Sequence, residues 1–490
     1  MKAFQAAIFG GFFLFVAGTA GVRAQVFTIL HQFSSAPYPT YTNWDGTGPY
    51  HGGLAVAGNR LYGTTYDGGL YRNGTVFSIG TDGSDFTVLH TFSPAPPPYY
   101  TNADGNNPAA DLIVVGDRLY GTTTYGGTNN NGYGTVFSVK TNGADFLNLH
   151  SFLDPSDGQI LQTRLVLADG RLYGAASAGG GTNNEEGTIF SINPDGSDFR
   201  VLFTFSADVT NYPYTDSTGG YPFGNLILSG DTLYGTAEYR GPASDGTVFS
   251  IKTNGSNFTV LHSFTNGDGA YPNAGLVLKG STLFGTATFG GAHGAGTVFS
   301  IRTDGTGFRV IHDFLYRNVP LTNSDGAYPM GLLLSGETLF GVVEDGGPYD
   351  RGVLFSMRTD GSDYTLLHAF HPDYLDSDGE NPQGSLTLCG NTLYGVTEYG
   401  GENGNGTIFS LTVSPEMTGL DVAGANLVIH AVRGGRGQAC RVLTSPDLST
   451  PLSGWTPVST NILAGGDFTV VVTNAVSPTT LQRYYTLQVQ

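Results

Sequence analysis

Three glutamates at one repeated position are the side chains best suited to acid–base chemistry. Glu238, Glu344 and Glu398 each lie five residues after the leucine of an LYG or LFG motif. Glu344 and Glu398 come from consecutive copies of the repeat, so we expect their carboxyl groups to approach one another. A pair of carboxylates can cleave a glycosidic bond, and these two are the tentative catalytic residues. The alternative is that they are surface glutamates at the end of a strand.

A recurring histidine is the second candidate for chemistry. It occupies an [LI]-[HF]-x-F motif at His31, His90, His150, His262, His312 and His368, and Phe203 replaces it in one copy. A metal ligand or general base could not become phenylalanine without loss of that copy's function, whereas a packed histidine with one hydrogen bond could. The pattern favours a structural role. The chain also lacks H-E-x-x-H, G-x-S-x-G and Cys-x-x-Cys motifs.

A third pattern, Asx-x-Asp-Gly, resembles half of a calcium-binding loop. It recurs before the first strand of most copies and is represented best by Asp376 and Asp378. Closely spaced carboxylates are hard oxygen ligands for calcium. A full EF-hand-type loop needs an acid six residues after the glycine, which only Asp111 supplies. The alternative is an Asx-turn that hydrogen-bonds its own backbone. Calcium at Asp376 and Asp378 is a tentative alternative, and we otherwise expect no metal or cofactor.

The residues above belong to a unit that is repeated seven times. Each copy contains LYG or LFG, then G-[TV]-[VIL]-F-S, then an Asp-Gly or Asn-Gly turn before the histidine motif, as in 119–152. The segments alternate with a period of two and are rich in β-branched and aromatic residues, which is typical of strands. Four antiparallel strands repeated radially predict an all-β, seven-bladed β-propeller.

The register of the motifs predicts how the ring closes. The seventh copy ends after Gly406–Leu411 without its own histidine strand, and an unmatched histidine strand, Val26–Phe33, precedes the first copy. We therefore expect the N-terminal strand to complete the last blade, which removes the exposed sheet edges.

The repeat resembles the Gloeo–Verruco (GloVer-type) tandem repeat family of exported bacterial proteins. The resemblance rests on LYGTT-x-GG, GTVFS and LH-x-F, and covers about residues 26–412. It implies an extracellular setting and no catalytic residues. The C-terminal anchor frequent in that family is not visible in LQRYYTLQVQ. Kelch propellers share the paired glycines, but their blade tryptophan is missing here.

The remaining segments complete the predicted domain organisation. Residues 1–24 carry an apolar run and a small-x-small site after Ala24, which predicts a cleaved signal peptide and a secreted or cell-surface protein. The propeller is predicted at 25–412 and a linker at 413–418. A small all-β domain of the immunoglobulin or fibronectin type, resembling a β-sandwich, is predicted at 419–490.

Charge and cysteine content exclude several classes of partner. Cleavage would remove Lys2 and Arg23 and change the formal net charge from −19 to −21. Such a chain is a poor binder of nucleic acid or anionic membranes, and we expect no membrane span in the mature chain and a monomer. Cys389 and Cys440 fall in different predicted domains, so two buried thiols are expected rather than a disulfide.

Ligand binding is predicted on one face of the ring. The loops between strands four and one, and between two and three, are long, variable and rich in Tyr, Asn, Gly and Pro; variable loops on a rigid scaffold commonly bind. The candidate ligand-binding residues are Tyr41, Tyr100, Tyr214 and Tyr316. The leading hypothesis is non-catalytic recognition of a polysaccharide or a surface protein. The alternatives are a polysaccharide lyase or glycoside hydrolase, and a purely structural envelope protein. The competing interpretation of the loops is that they only connect strands and bind nothing.

Overall fold

The structure is a computed structural model of the 490-residue chain. It describes residues 3–8, 12–17, 26–50, 52–95, 102–128, 132–181, 185–206, 217–315, 323–371, 378–413, 416–423, 426–434, 439–445, 454–462, 466–473 and 482–489. These residues form an all-β protein whose only described helix is a 3-10 turn at Pro155–Asp157. The predicted fold class is confirmed.

Seven four-stranded antiparallel sheets within the described residues are the blades of a β-propeller. Their strands, from first to fourth, are Ala55–Ala57, Arg60–Thr65, Thr75–Gly80 and Thr87–Thr91 in blade 1; Ile113–Val115, Arg118–Thr123, Thr135–Lys140 and Leu147–Ser151 in blade 2; Val166–Ala168, Arg171–Ala176, Glu185–Ile192 and Arg200–Ser206 in blade 3; and Ile227–Ser229, Thr232–Ala237, Thr247–Lys252 and Thr259–Ser263 in blade 4. Blade 5 has Val277–Lys279, Thr282–Ala287, Thr297–Arg302 and Arg309–Asp313; blade 6 has Ala327–Ser335, Thr338–Asp345, Val353–Arg358 and Thr365–Ala369; blade 7 has Glu380–Cys389, Thr392–Tyr399, Thr407–Thr412 and Phe27–Gln32.

The N-terminal strand closes the ring as the sequence predicts. Phe27–Gln32 pairs antiparallel with Thr407–Thr412, with Phe27 opposite Leu411 and Gln32 opposite Thr407. The closing strand therefore supplies the outermost strand of blade 7, and the last blade has the same four strands as the others.

The LYG glycine is required by the packing inside each blade. The phenylalanine of GTVFS is fully buried, and its ring covers the glycine of the neighbouring second strand. In blade 1 a Cβ added to Gly63 would lie 2.5 Å from Cζ of Phe77, and the other blades show the same approach. No side chain fits there, because protein interiors are packed too densely to yield that space. The two most regular motifs of the repeat are thus halves of one contact.

Neighbouring blades are joined at a ring of stacked aromatic side chains. The histidine of the fourth strand, or Phe203 in blade 3, stacks on the aromatic residue at the start of the fourth strand of the next blade or just before it, as His90 does on Phe146 with centroids 3.8 Å apart. The series runs through His150–Phe199, Phe203–Phe258, His262–Phe308, His312–Tyr364, His368–Phe27 and His31–Phe86. The last two contacts use the N-terminal strand, so this ring also closes through it.

The C-terminal segment forms two further sheets. One contains Glu416–Ala423, Asn426–Gly434 and Gly466–Val472. The other orders Ala3–Ile8, Phe12–Ala17, Gln482–Val489, Ala439–Ser445 and Thr456–Ile462. The three-stranded sheet begins at Glu416, inside the predicted linker. Residues 416–423 form its first strand because they pair antiparallel with residues 426–432.

Two strands of this second sheet come from the predicted signal peptide. Ala3–Ile8 and Phe12–Ala17 form a hairpin, and Phe12–Ala17 pairs in parallel with Gln482–Val489. The signal peptide stays a prediction; its cleavage would leave a three-stranded sheet. Cys389 and Cys440 are both free thiols, as expected, but only Cys440 is buried.

Candidate functional site

The two faces of the propeller differ in construction. On one, which we call the turn face, the three–four turn hydrogen-bonds the one–two turn of its own blade in blades 1, 2, 4, 5 and 6, as Thr81 N does to Asn59 O at 2.9 Å. On the other, the loop face, the loop that enters strand one pairs with the loop between strands two and three, as in the β-bridge between Thr47 and Asp67. The loop face also links blades, because Gly48 N donates to Asn405 O and Tyr221 N to Glu186 O.

The histidines pair with the aspartates of the Asx-x-Asp-Gly loops. Nε2 of His31 lies 3.0 Å from Asp45, and the same pairing occurs at His90–Asp104, His262–Asp268, His312–Asp325 and His368–Asp378. In blade 2 the His150–Asp157 separation is 3.8 Å, and burial lowers the pKa of His150 to about 4. These half-buried pairs are packing elements, in line with the structural interpretation of the histidines.

The Asx-x-Asp-Gly loops hold themselves to the blade through protein hydrogen bonds. Asn43 Oδ1 accepts from Gly46 N and Gly69 N, and its Nδ2 donates to Ser34 O. Asp378, the described half of the tentative calcium site, accepts from His371 N at 2.8 Å and lies 2.6 Å from His368. Asp376 lies outside the described residues. Within the described part of the chain, no group of three or more His, Cys, Asp or Glu could hold a metal ion.

Four exposed aromatic side chains lie in the loops beside blade 1; two of them, Tyr38 and Tyr41, contact each other, and Trp44 packs edge to face against Phe86. Tyr38, Tyr41, Trp44 and Tyr71 are 81%, 45%, 54% and 48% exposed. Tyr38 and Tyr41 meet edge to face at 5.7 Å, and the Arg72 guanidinium lies 4.9 Å above the Tyr41 ring. We call these four residues the blade 1 aromatic cluster. Tyr41 is the one predicted ligand-binding residue that the structure describes.

The three glutamates all influence one tyrosine, Tyr50, through their charges. Burial raises the pKa of Tyr50 to about 12, with further contributions from the charges of Glu398, Glu344 and Glu238. A tyrosine of blade 1 can be near glutamates of blades 4, 6 and 7 only where the blades meet, around the axis. We call Tyr50, Glu238, Glu344, Glu398 and Gln383 the axial mouth of the loop face.

Glu344 and Glu398 interact through Gln383. Gln383 Nε2 donates to Glu398 Oε2 at 3.4 Å and also hydrogen-bonds Glu344. Burial, followed by the charges of Asp345 and Glu398, raises the pKa of Glu344 to about 7. Burial alone raises the pKa of Glu238 to about 7, against a hydrogen bond from Tyr239, and burial also raises the pKa of Glu398. The charge of Glu398 therefore influences Glu344, and Gln383 interacts with both.

Polar contacts also join different blades at or just before their first strands. Asp111 is buried, accepts from Gly53 N and from Ser385 Oγ, and lies 3.8 Å from Arg164. The cavity beside these contacts is lined by Gln162, Phe223, Asn273, Met330 and Ser385 among others, and encloses about 50 Å³. That volume suits a few water molecules.

A family model for the Gloeobacter/Verrucomicrobia repeat matches residues 16–218, 209–337 and 319–426. The chain belongs to this family. The resemblance carried by LYG, GTVFS and LH-x-F is thereby confirmed across the propeller. No curated protein matches the sequence.

Solved propeller structures are similar to this Gloeobacter/Verrucomicrobia repeat protein at low identity. An oligogalacturonate lyase from Vibrio parahaemolyticus has 10% identity and a TM-score of 0.46, covering 80% of this chain and 97% of that one. An oligogalacturonate lyase in complex with manganese has 11% identity and a TM-score of 0.47, covering 80% and 96%. A chain of a nidogen/laminin complex has 14% identity and a TM-score of 0.36, covering 64% and 93%. At these values the similarities carry no argument about activity.

The sequence of this repeat protein pointed to the loop face but missed its central residues. Tyr100, Tyr214 and Tyr316 lie outside the described residues. Tyr50 and Gln383 of the mouth were not predicted. Neither were four exposed aromatic side chains at one repeat position, Tyr125, Tyr239, Phe289 and Tyr399. The signal was present, because each of these four residues comes one residue after the glutamate position of its repeat. Among the described residues no helix is long and apolar enough to cross a membrane.

Proposed function

We propose that this propeller binds an extracellular polysaccharide through its loop face and performs no chemistry on it. The observation that carries the proposal is the blade 1 aromatic cluster, in which four aromatic side chains expose their rings on the face built from the variable loops. An exposed aromatic patch of this kind marks an interaction surface.

The chemistry of the cluster suits a sugar polymer. Tyrosine and tryptophan combine a flat apolar face with one polar group, which matches a pyranose ring with its apolar C–H face and peripheral hydroxyls. Blades 2, 4, 5 and 7 add four further exposed aromatic side chains at one repeat position, Tyr125, Tyr239, Phe289 and Tyr399. A polymer lying on the loop face would therefore meet aromatic side chains in several blades.

The extracellular setting rests on the sequence. A signal peptide cleaved after Ala24 accounts for the apolar N-terminal run, and a secreted or cell-surface protein meets polysaccharides directly. In this setting the ring of stacked blades acts as a rigid support for the loops.

Hydrolysis of a polysaccharide is the second candidate function, and Glu344 with Glu398 is the observation that favours it. A carboxyl group whose pKa is raised to about 7 by burial can act as a general acid near neutral pH. The acidic mouth fits a neutral or basic glycan better than a polyuronate, because like charges repel. A lyase acting on polyuronates is accordingly the weaker form of this alternative.

A binding screen with product detection tests both candidates. The mature chain is incubated with insoluble neutral, basic and acidic polysaccharides, and both the retained protein and the new reducing ends are measured. Retention without new reducing ends supports the proposal. New reducing ends that disappear in Glu344→Gln would replace it with the hydrolase. A chain retained by none of the polymers would contradict the proposal and favour a purely structural envelope role.

A further inference from the structure

Five aromatic side chains contact one another in series across the loops of blades 4, 5 and 6. The series runs Tyr221, Tyr239, Tyr271, Phe289 and Tyr328, and the centroids of successive rings are 5.4, 5.0, 5.6 and 4.9 Å apart. Tyr239 and Phe289 are 39% and 41% exposed, and the other three rings are half-buried. We call these five residues the aromatic row.

Each exposed ring of the row is held between two half-buried tyrosines. Tyr239 contacts Tyr221 and Tyr271 with planes inclined by 86° and 53°. Phe289 contacts Tyr271 and Tyr328 with planes inclined by 75° and 47°. The backbone of each exposed residue is also held in a β-bridge to the loop that enters strand one. An exposed ring that is already fixed loses little conformational entropy when a ligand stacks on it.

The half-buried tyrosines occupy a backbone position that disfavours their residue type. Tyr221, Tyr271 and Tyr328 have φ angles of 57°, 57° and 61°, in the left-handed region. Two other copies of the repeat have Asn107 and Asn381 there, both with a φ of 53°. Asparagine tolerates this conformation better than tyrosine does. Tyrosine at this position therefore costs free energy, and such strain is typical of functional sites.

Charge selects the kind of ligand that suits the row. None of its five residues carries a formal charge, and the neighbouring charged groups are engaged within the protein. Glu238 hydrogen-bonds Tyr239, and Arg240 pairs with the buried Glu186 at 2.8 Å. The formal net charge of −19 disfavours a polyanion. Aromatic faces and tyrosine hydroxyls match a neutral sugar ring, and a row that passes through three blades suits a chain of such rings.

We propose that the aromatic row is a second polysaccharide-binding site, separate from the blade 1 aromatic cluster, and that it takes a neutral, extended sugar chain. Tyr239 and Phe289 stack on sugar units of that chain, and the three half-buried tyrosines hold their rings in place. A β-1,4-linked glucan is the simplest such chain, because its equatorial substituents leave the ring faces flat. This inference rests on the proposed function and adds to it a second site and a class of polysaccharide.

A matched pair of hexamers tests the class of polysaccharide. Calorimetry measures binding of the mature chain to a β-1,4-linked glucose hexamer and to the same hexamer oxidised to a carboxylate at every C6. A hexamer is used because a long polymer could engage both sites and mask the loss of one. We expect the oxidised hexamer to bind at least about tenfold more weakly, since like charges repel. Equal affinity for the two hexamers, or no binding of the neutral one, would overturn the inference.

Variants of the row test the site itself. Tyr239→Ala/Phe289→Ala should bind the neutral hexamer about tenfold more weakly or worse, because truncation of an aromatic anchor commonly costs that much. The matched control is Leu147→Ala/Leu167→Ala, which removes two side chains of similar exposure beside the turns of the turn face. Thermal melts confirm that both variants fold, and the control should change the affinity by less than about twofold. Equal losses in the two variants would overturn the inference.

A third variant tests the supporting role of the half-buried tyrosines. Tyr271→Asn copies Asn107 and Asn381, so it keeps a residue that suits the backbone, and it removes the ring that contacts both Tyr239 and Phe289. We expect it to weaken binding of the neutral hexamer about threefold or more, because both anchors become freer before binding. An unchanged affinity would contradict that role.

Two further outcomes separate this inference from the proposed function. Loss of the neutral hexamer only in Tyr38→Ala/Tyr41→Ala/Tyr71→Ala, with full affinity in Tyr239→Ala/Phe289→Ala, would remove the second site and leave polysaccharide binding standing. Failure to bind the hexamer or any polymer in the screen would remove both. Tighter binding of a proline-rich peptide than of the neutral hexamer, lost in Tyr239→Ala/Phe289→Ala, would overturn the inference and reassign the row to a protein partner.

Discussion

Phe203 stacks on Phe258 with ring centroids 3.9 Å apart and planes inclined by 2°. This is the one joint of the seven in which histidine is absent, and it is also the one whose following loop has Thr218 where the others have aspartate. Histidine and aspartate are therefore replaced together within the chain. The hydrogen bond between them is an accessory to the stack, and removing one partner alone leaves the other buried.

The first prediction is that the joint tolerates the pair exchange better than the single exchange. His90→Phe should lower the free energy of unfolding by about 1–3 kcal/mol, because Asp104 loses its imidazole partner while it stays half-buried. Adding Asp104→Thr, which copies Thr218, should recover most of the loss. Urea denaturation of both single variants and the double variant measures the coupling. Additive losses would show that the two residues act independently.

The second prediction concerns closure of the ring. Deleting residues 26–33 removes the strand that pairs with Thr407–Thr412 and the stacked contacts of Phe27 with His368 and of His31 with Phe86. The propeller should lose most of its stability in thermal melts. The matched control is removal of 1–24, the predicted cleavage product, which keeps the closing strand. An equal melting temperature for the two truncations would contradict closure by this strand.

The third prediction follows from the raised pKa of Glu238 and Glu344. Burial raises the folded-state pKa of each to about 7, above the ordinary 4.5 of a glutamate. Between these values the unfolded state releases a proton that the folded state keeps, so stability is full below about pH 4.5 and falls as pH rises through 7. Glu238→Gln should raise the free energy of unfolding at pH 8 by up to about 3 kcal/mol, seen as a higher melting temperature. At pH 4.5 the melting temperature should change little. A stabilisation of equal size at both pH values would show that burial of charge is not the cause.

The fourth prediction concerns calcium. The described aspartates of the Asx-x-Asp-Gly loops accept hydrogen bonds from the protein, as Asp45 does from Ser34 N at 3.0 Å. We expect no change in the melting temperature over millimolar calcium or with chelator. A rise with calcium that chelator reverses would show binding to the folded state and return Asp376 and Asp378 to consideration as ligands.

Blade architecture was predictable because each motif is tied to one local contact. LYG and GTVFS meet inside the blade as Gly63 under Phe77, and the unmatched strand 26–33 has only one open edge to pair with. Seven repetitions of the same packing problem make the period visible in one sequence.

The axial mouth was predictable only in part. Glu344 and Glu398 share a repeat position in consecutive blades, so the influence of one charge on the other follows from symmetry. Tyr50 and Gln383 break the repeat, and their place beside those glutamates depends on how the first strands meet at the axis. The hairpin of Ala3–Ile8 and Phe12–Ala17 was missed because an apolar N-terminal run predicts a leader rather than strands.

Binding by loop-face variants tests the central claim most directly. Tyr38→Ala/Tyr41→Ala/Tyr71→Ala truncates three exposed rings of the blade 1 aromatic cluster, and Ser84→Lys/Ser256→Lys alters the turn face beside its Asp-Gly and Asn-Gly turns. Retention on the polysaccharide held best by the mature chain is measured after thermal melts confirm folding. We predict a loss of affinity of about a hundredfold or more in the tyrosine variant, because interface aromatics often contribute about 2 kcal/mol each, and less than about twofold in the turn variant. Loss of retention in the turn variant with full retention in the tyrosine variant would contradict binding at the loop face.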